Sequence, residues 1–222
     1  MQRMMYESVA VAALMVSAGV AGAASYSDGD FSGWTSSTNN PASTNAFRDA
    51  GFGNPAASIY AETRTDIFDT DVNVVWLSDF SYDPSATGVA LSIGSMSIDW
   101  INTSTNSFNG QLFSFAVAQG GKVYQTINTN FALVNGQWNT TSDSNLGQNN
   151  FGEVNNLSSH PDFSTSGGAV RFGLIAYNFY DPSFGDERQE VHYDNFSMSY
   201  TPAPSGVAVG GLGAIAMLRR RR

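Results

Sequence analysis

The sequence predicts an all-β fold, a two-sheet β-sandwich, and three observations carry that prediction. Apolar residues recur with period two in several stretches, and no stretch sustains a period of 3.6. Only 13% of the residues are Asp, Glu, Lys or Arg. Asn, Ser, Thr and Gly are abundant instead, which suits polar strands and turns rather than long surface helices. At 222 residues a single domain with one core is expected.

Taken in chain order, the first strands are expected at Ser58–Thr65 and 72–80. In "VALSIGSMSIDWI" one face carries Val89, Leu91 and Ile93 and the other Met96, Ile98 and Trp100. The change of face beside Gly94 predicts a bulge. In "QLFSFAVAQGGKVYQTI" Phe113, Phe115 and Val117 alternate with small or polar residues. Gly120-Gly121 then separates them from Val123, Gln125 and Ile127, which is a hairpin signal. Residues 136–166, rich in Asn, Ser and Gly, read as loop with one strand. "AVRFGLIAY" is apolar on both faces, as a central strand covered on both sides is. The closing "VHYDNFSMSY" sends Phe196, Met198 and Tyr200 inward and Asn195, Ser197 and Ser199 outward.

Composition excludes several classes of function. There are no cysteines, hence no disulfide framework, thiolate metal site or catalytic thiol. The formal charge of −9 understates the acidity of the body. Residues 24–200 hold five basic against eighteen acidic side chains, a net of −13. Such a surface repels phosphate backbones, so nucleic acid is not an expected partner. No G-x-S-x-G, H-E-x-x-H or Cys/His pair occurs. Eighteen carboxylates also make any one acidic spacing uninformative, and the chain reads as a noncatalytic protein. His160 and His192 are too isolated for a transition-metal centre and read as surface or edge residues.

Both ends read as addresses. Arg3, an apolar run over 9–20 and the small residues Ala21 and Ala23 compose a secretory signal peptide, a helix over residues 1–23. At the other end the apolar run 207–218 falls short of the ~20 residues that span a bilayer. Arg219, Arg220, Arg221 and Arg222 follow it and hold that end in the cytoplasm by the positive-inside rule. A short apolar helix with a basic latch predicts transient membrane insertion.

The order Pro202-Ala203-Pro204, apolar run and terminal arginines resembles the C-terminal sorting signal of the PEP-CTERM family, here in a Pro-Ala-Pro variant. That resemblance implies processing by an exosortase in a Gram-negative bacterium, with the product at the cell surface, in the outer envelope or in the extracellular matrix. The expected organisation is therefore a signal peptide over 1–23, an ectodomain over 24–200 and a sorting signal over 201–222.

"SDGDFSGWT" after the signal peptide and "HYDNFSMSY" before the tail resemble the opening and closing strands of jelly-roll modules of the carbohydrate-binding and galactose-binding-like kind. The resemblance implies a jelly-roll β-sandwich in which Asp28, Asp30 and Asp194 share a structural Ca2+. Several carboxylate and carbonyl oxygens would supply the donors calcium needs.

Flat aromatic rings stack on the apolar face of a pyranose, and Tyr180 and Phe184 lie beside Pro182 and Gly185 in an expected loop. With Asn178 and Asp181 to fix hydroxyls, they are the expected sugar-binding residues. Trp34, Trp76 and Trp100 are expected in the core. The expected role is a noncatalytic, carbohydrate-binding surface or exopolysaccharide-matrix protein. The alternatives are a structural or interaction protein of the envelope and a secreted lectin-like hydrolase.

Overall fold

A computed structural model describes residues 23–54, 57–65, 71–105, 110–179 and 187–203. Along the described chain run β1 (Ala24–Asp28), β2 (Thr35–Thr38), β3 (Thr44–Asp49), β4 (Ser58–Thr65) and β5 (Asp71–Tyr82). The four-residue helix α1 (Pro84–Thr87) leads to β6 (Ala90–Asn102), β7 (Gly110–Gln119), β8 (Lys122–Thr126) and β9 (Asn130–Leu133). Then come β10 (Asn139–Leu146), β11 (Phe151–Glu153), β12 (Val170–Phe179) and β13 (Glu187–Ala203). Among the described residues no helix is long and apolar enough to cross a membrane. The expected signal helix and sorting helix lie outside the described residues.

The strands form two antiparallel sheets, and the protein is an all-β sandwich. The first sheet has the order β10-β6-β13-β4-β3, with β1 also on β13. The second has the order β11-β8-β7-β12-β5-β2, with β9 also on β7. The closing strand β13 organises the first sheet. Its first half pairs with β4 and its second half with β1, so the two ends of the described chain meet there.

Alternation sets the core between the sheets. Ile59, Met96, Ile98, Tyr193, Phe196 and Met198 from one sheet meet Val74, Trp76, Phe113, Phe115, Phe172 and Leu174 from the other. Gln111 ties the layers across the buried interior. Its Nε2 donates to Thr63 Oγ1 at 3.0 Å, and its Oε1 accepts from the Tyr193 hydroxyl at 2.8 Å. Trp34, Trp76 and Trp100 are buried in the core, as expected.

The bulge expected beside Gly94 and the hairpin expected at Gly120-Gly121 are both present, and the hairpin's return strand has the opposite phase to the expected one. Beside Gly94, Ser95 pairs with Ser199 while Ile93 pairs with Tyr200. This bulge returns Leu91, Ile93, Met96 and Ile98 to one face, and all four are buried in the core. The hairpin turns on Gly120 and Gly121 at φ 59° and 79°, the left-handed conformations of a tight two-residue turn. Its register pairs Val117 with Tyr124, so the return strand buries Tyr124 and Thr126 and leaves Ile127 exposed.

Candidate functional site

The outer face of the six-stranded sheet carries a band of aromatic rings. Register places Phe47 opposite Tyr60, Tyr60 opposite His192 and His192 opposite Ile101. Cross-strand partners share a face, so β3, β4, β13 and β6 contribute one row. Phe47 and Tyr60 have ring centroids 4.7 Å apart, and Tyr60 and His192 4.9 Å. Phe52, from the loop after β3, lies 4.1 Å from the His192 ring and 6.1 Å from Trp138 at the head of β10. From β3 to β10 the band crosses four strand spacings, roughly 19 Å.

Local chemistry fixes each ring. His192 Nδ1 bonds Ser58 Oγ at 2.9 Å. Burial under Phe52 and Tyr60 pushes the imidazole pKa down, against the opposing pull of Asp49, so the ring stacks as a neutral group. The sequence reading had this histidine at the surface or an edge. It is instead buried in mid-sheet, because Tyr60 of β4 and Phe52 of the loop after β3, both distant in sequence, pack on it. Phe52 is held out by its loop, where Asp49 Oδ1 accepts the Gly51 N–H at 2.9 Å. A side chain at Gly53 would lie 2.5 Å from the Ala57 backbone, so the return of this loop requires glycine. Phe47 and Phe52 remain 42% and 37% exposed, enough to present ring faces to solvent.

Polar rows flank the band on both sides. On one side Glu62 stands opposite Glu190, and Arg188 bonds both, each at 2.7 Å. On the other side Asp194 stands opposite Asp99. Beyond them lie two cross-strand rows of serine. Ser27, Ser197, Ser97 and Ser142 form one, and Ser25, Ser199, Ser95 and Ser144 the other.

The three expected calcium ligands do not form one site. Asp28 spends its oxygens on protein donors: Oδ1 accepts the N–H groups of Asp30 and Phe31, both at 2.8 Å. Oδ2 accepts the Tyr26 hydroxyl and Trp34 Nε1, both at 3.0 Å. Burial alone would raise the Asp28 carboxyl, yet these donors outweigh it and hold its pKa below the usual range. Asp30 pairs with Arg48, whose Nε also bonds the Asp30 carbonyl at 2.5 Å. Asp194 is fully buried and accepts the backbone N–H groups of Asn54 and Asn195. It anchors the Phe52 loop to the bulge of β13. Among the described residues no cluster of three or more Asp, Glu or His is arranged for a metal, and these donor sets do not fit a calcium ion.

Of the expected sugar-binding residues, Tyr180, Asp181 and Phe184 lie outside the described residues. Asn178 is a correction, because it is buried and its Nδ2 has no partner among the described residues. It follows Phe172, Leu174 and Ala176 in alternation, and β12 turns that set inward. Of the sorting residues, Pro202 and Ala203 continue the backbone pairing of β13 with Leu91 and Ala90. Pro204 and Arg219 to Arg222 lie outside the described residues.

No family model matches the chain, and no curated protein matches it. Solved structures do match. A family 11 carbohydrate-binding module from Clostridium thermocellum, in complex with a β-1,3-1,4-mixed-linked tetrasaccharide, has 13% identity and a TM-score of 0.44. The match covers 78% of this chain and 94% of that one. The C-terminal family 22 module of Clostridium thermocellum Xyn10B has 12% identity and a TM-score of 0.43, over 81% of this chain and 94% of that one. The xylan-binding CBM22-1 domain of Paenibacillus barcinonensis Xyn10C has 12% identity and a TM-score of 0.41, with the same coverage. At TM-scores below 0.5 these likenesses carry no argument about this chain. Fold and site define an all-β sandwich with an aromatic outer face.

Proposed function

We propose that the sandwich is a noncatalytic carbohydrate-binding module that holds a polysaccharide against the outer face of its six-stranded sheet. The observation that carries this reading is the five-ring band of Phe47, Tyr60, His192, Phe52 and Trp138. Its length suits an extended glycan, its exposed rings Phe47 and Phe52 offer apolar faces over the buried Tyr60 and His192, and the carboxylates and serines beside it offer hydroxyl partners. Export and sorting by the two terminal segments complete the reading. The signal peptide carries the chain across the inner membrane, and an exosortase-type enzyme processes the Pro202-Ala203-Pro204 tail. The domain then stays in the exopolysaccharide of a Gram-negative surface.

A glycan array probed with the full chain tests the binding. Retention of extended polysaccharides is expected, and a blank array would refute it. Mass spectrometry of native material tests the processing. The mature protein should begin near Ala24, and intact Arg219 to Arg222 in the surface pool would contradict it.

A further inference from the structure

The ring band has a pair of directly opposed carboxylates on each side, and among the described residues a cation bonds one pair and not the other. Like charges directly opposite one another destabilise a sheet. Arg188 relieves Glu62 and Glu190 by bonding both. Among the described residues Asp99 and Asp194 have hydrogen bonds from neutral donors and no ion pair. Asp99 accepts from Thr140 Oγ1 at 2.5 Å and Asn195 Nδ2 at 2.9 Å, and Asp194 from two backbone N–H groups. Burial, and after its opposing hydrogen bonds the facing Asp99 charge, leave the Asp194 carboxyl above its usual pKa.

The place of the pair matters for a bound chain. Asp194 is two residues along β13 from His192, and Asp99 two along β6 from Ile101, about 7 Å from the ring row. A substituent on a sugar stacked against the rings reaches that distance. Asp194 is buried and Asp99 half-buried, so Asp99 offers the accessible oxygen with Asp194 directly behind it. A uronate-bearing polymer meets repulsion here, and a neutral one leaves the pair uncompensated. A protonated amine does for Asp99 and Asp194 what Arg188 does for the glutamates.

We propose that this face selects an amine-bearing polysaccharide, a hexosamine polymer with free amino groups, over neutral and uronate polymers. The proposal rests on the ring band being a sugar platform. Isothermal titration of the full chain with glucosamine hexamer, N-acetylglucosamine hexamer and a galacturonate oligomer, at mildly acid pH, tests it. The free-amine hexamer should bind about tenfold tighter than the acetylated one, with a preference that shrinks as salt screens it, and the galacturonate should bind weakest. Asp99→Asn should bring the ratio of the two hexosamine affinities toward one.

Equal or tighter binding of the acetylated hexamer overturns the charge selectivity while the sugar platform stands. Free-amine binding that survives in Phe47→Ala/Phe52→Ala marks bulk attraction to an acidic protein and overturns the assignment. Failure of all three ligands to bind overturns the platform and the selectivity together.

Discussion

The two outer faces of the sandwich are built from the same alternation and end in opposite chemistry. The seven-stranded sheet turns out Val75, Ala116, Ile175 and Tyr177, packed with Leu77, Leu112, Val123 and Val154. The face is tied down by its own side chains. Tyr177 meets Thr129 Oγ1 at 2.7 Å, and Arg171 reaches the Ser78 and Leu77 carbonyls at 2.8 and 3.1 Å. The six-stranded sheet turns out rings, two of them exposed, and lines them with carboxylates and serines. Aliphatic side chains that satisfy one another stabilise a fold, whereas exposed rings beside polar groups leave contacts for a partner.

Substitution should separate the two faces, and the largest effect belongs to the aliphatic one. Ile175 is 1% exposed, so Ile175→Ala should cost about 2 to 4 kcal/mol in chemical denaturation and leave glycan affinity unchanged. Lost affinity at unchanged stability would reverse the assignment of the two faces.

A smaller loss, about 1 to 3 kcal/mol, is expected from Asp28→Asn, which keeps one accepting oxygen and turns the other into an amide donor facing two of the four donors. Because the folded pKa of Asp28 is lowered, its contribution is present above the ordinary carboxylate range, near pH 4. It disappears as pH falls through the lowered value. An acid-unfolding midpoint that the substitution leaves in place would show that the network does not stabilise the fold.

His192 sharpens the comparison from the ring side. Its folded pKa is lowered, so the unfolded chain takes up the proton first. Stability should fall as pH drops through about 6.5, by roughly 1.4 kcal/mol for each unit of lowering once both states are protonated. His192→Gln should flatten that slope in urea titrations between neutral and mildly acid pH. An unchanged slope would remove the histidine from the buried band.

The smallest effect is expected for calcium. Chelator and added Ca2+ should leave the melting temperature within about 1 °C, whereas a bound ion at a hundredfold excess would contribute about 2.7 kcal/mol. A rise of several degrees would mean that Asp28, Asp30 and Asp194 exchange their protein donors for metal.

The sandwich was legible because its evidence is local. Alternation marked β7 and β13, a run apolar on both faces marked β12, and Gly120-Gly121 marked the turn. The ring band was not legible, because its members sit at positions 47, 52, 60, 138 and 192. The strand order alone makes them neighbours. A partial signal existed in Phe47, Tyr60 and His192, each an aromatic residue on the polar phase of its own strand. Asp28 and Asp194 come from paired strands at the two ends of the described chain, yet sequence cannot show that N–H and O–H donors already fill their oxygens.

The central claim is that the exposed rings hold the ligand, and titration of one array-selected polysaccharide into ring variants tests it most directly. Phe47→Ala, Phe52→Ala and Trp138→Ala should each weaken binding by about tenfold or more, equivalent to 1.4 kcal/mol. The triple variant should bind nothing measurable while unfolding within about 1 kcal/mol of the parent. A folded triple variant that keeps parental affinity would contradict the account and move the ligand to another surface.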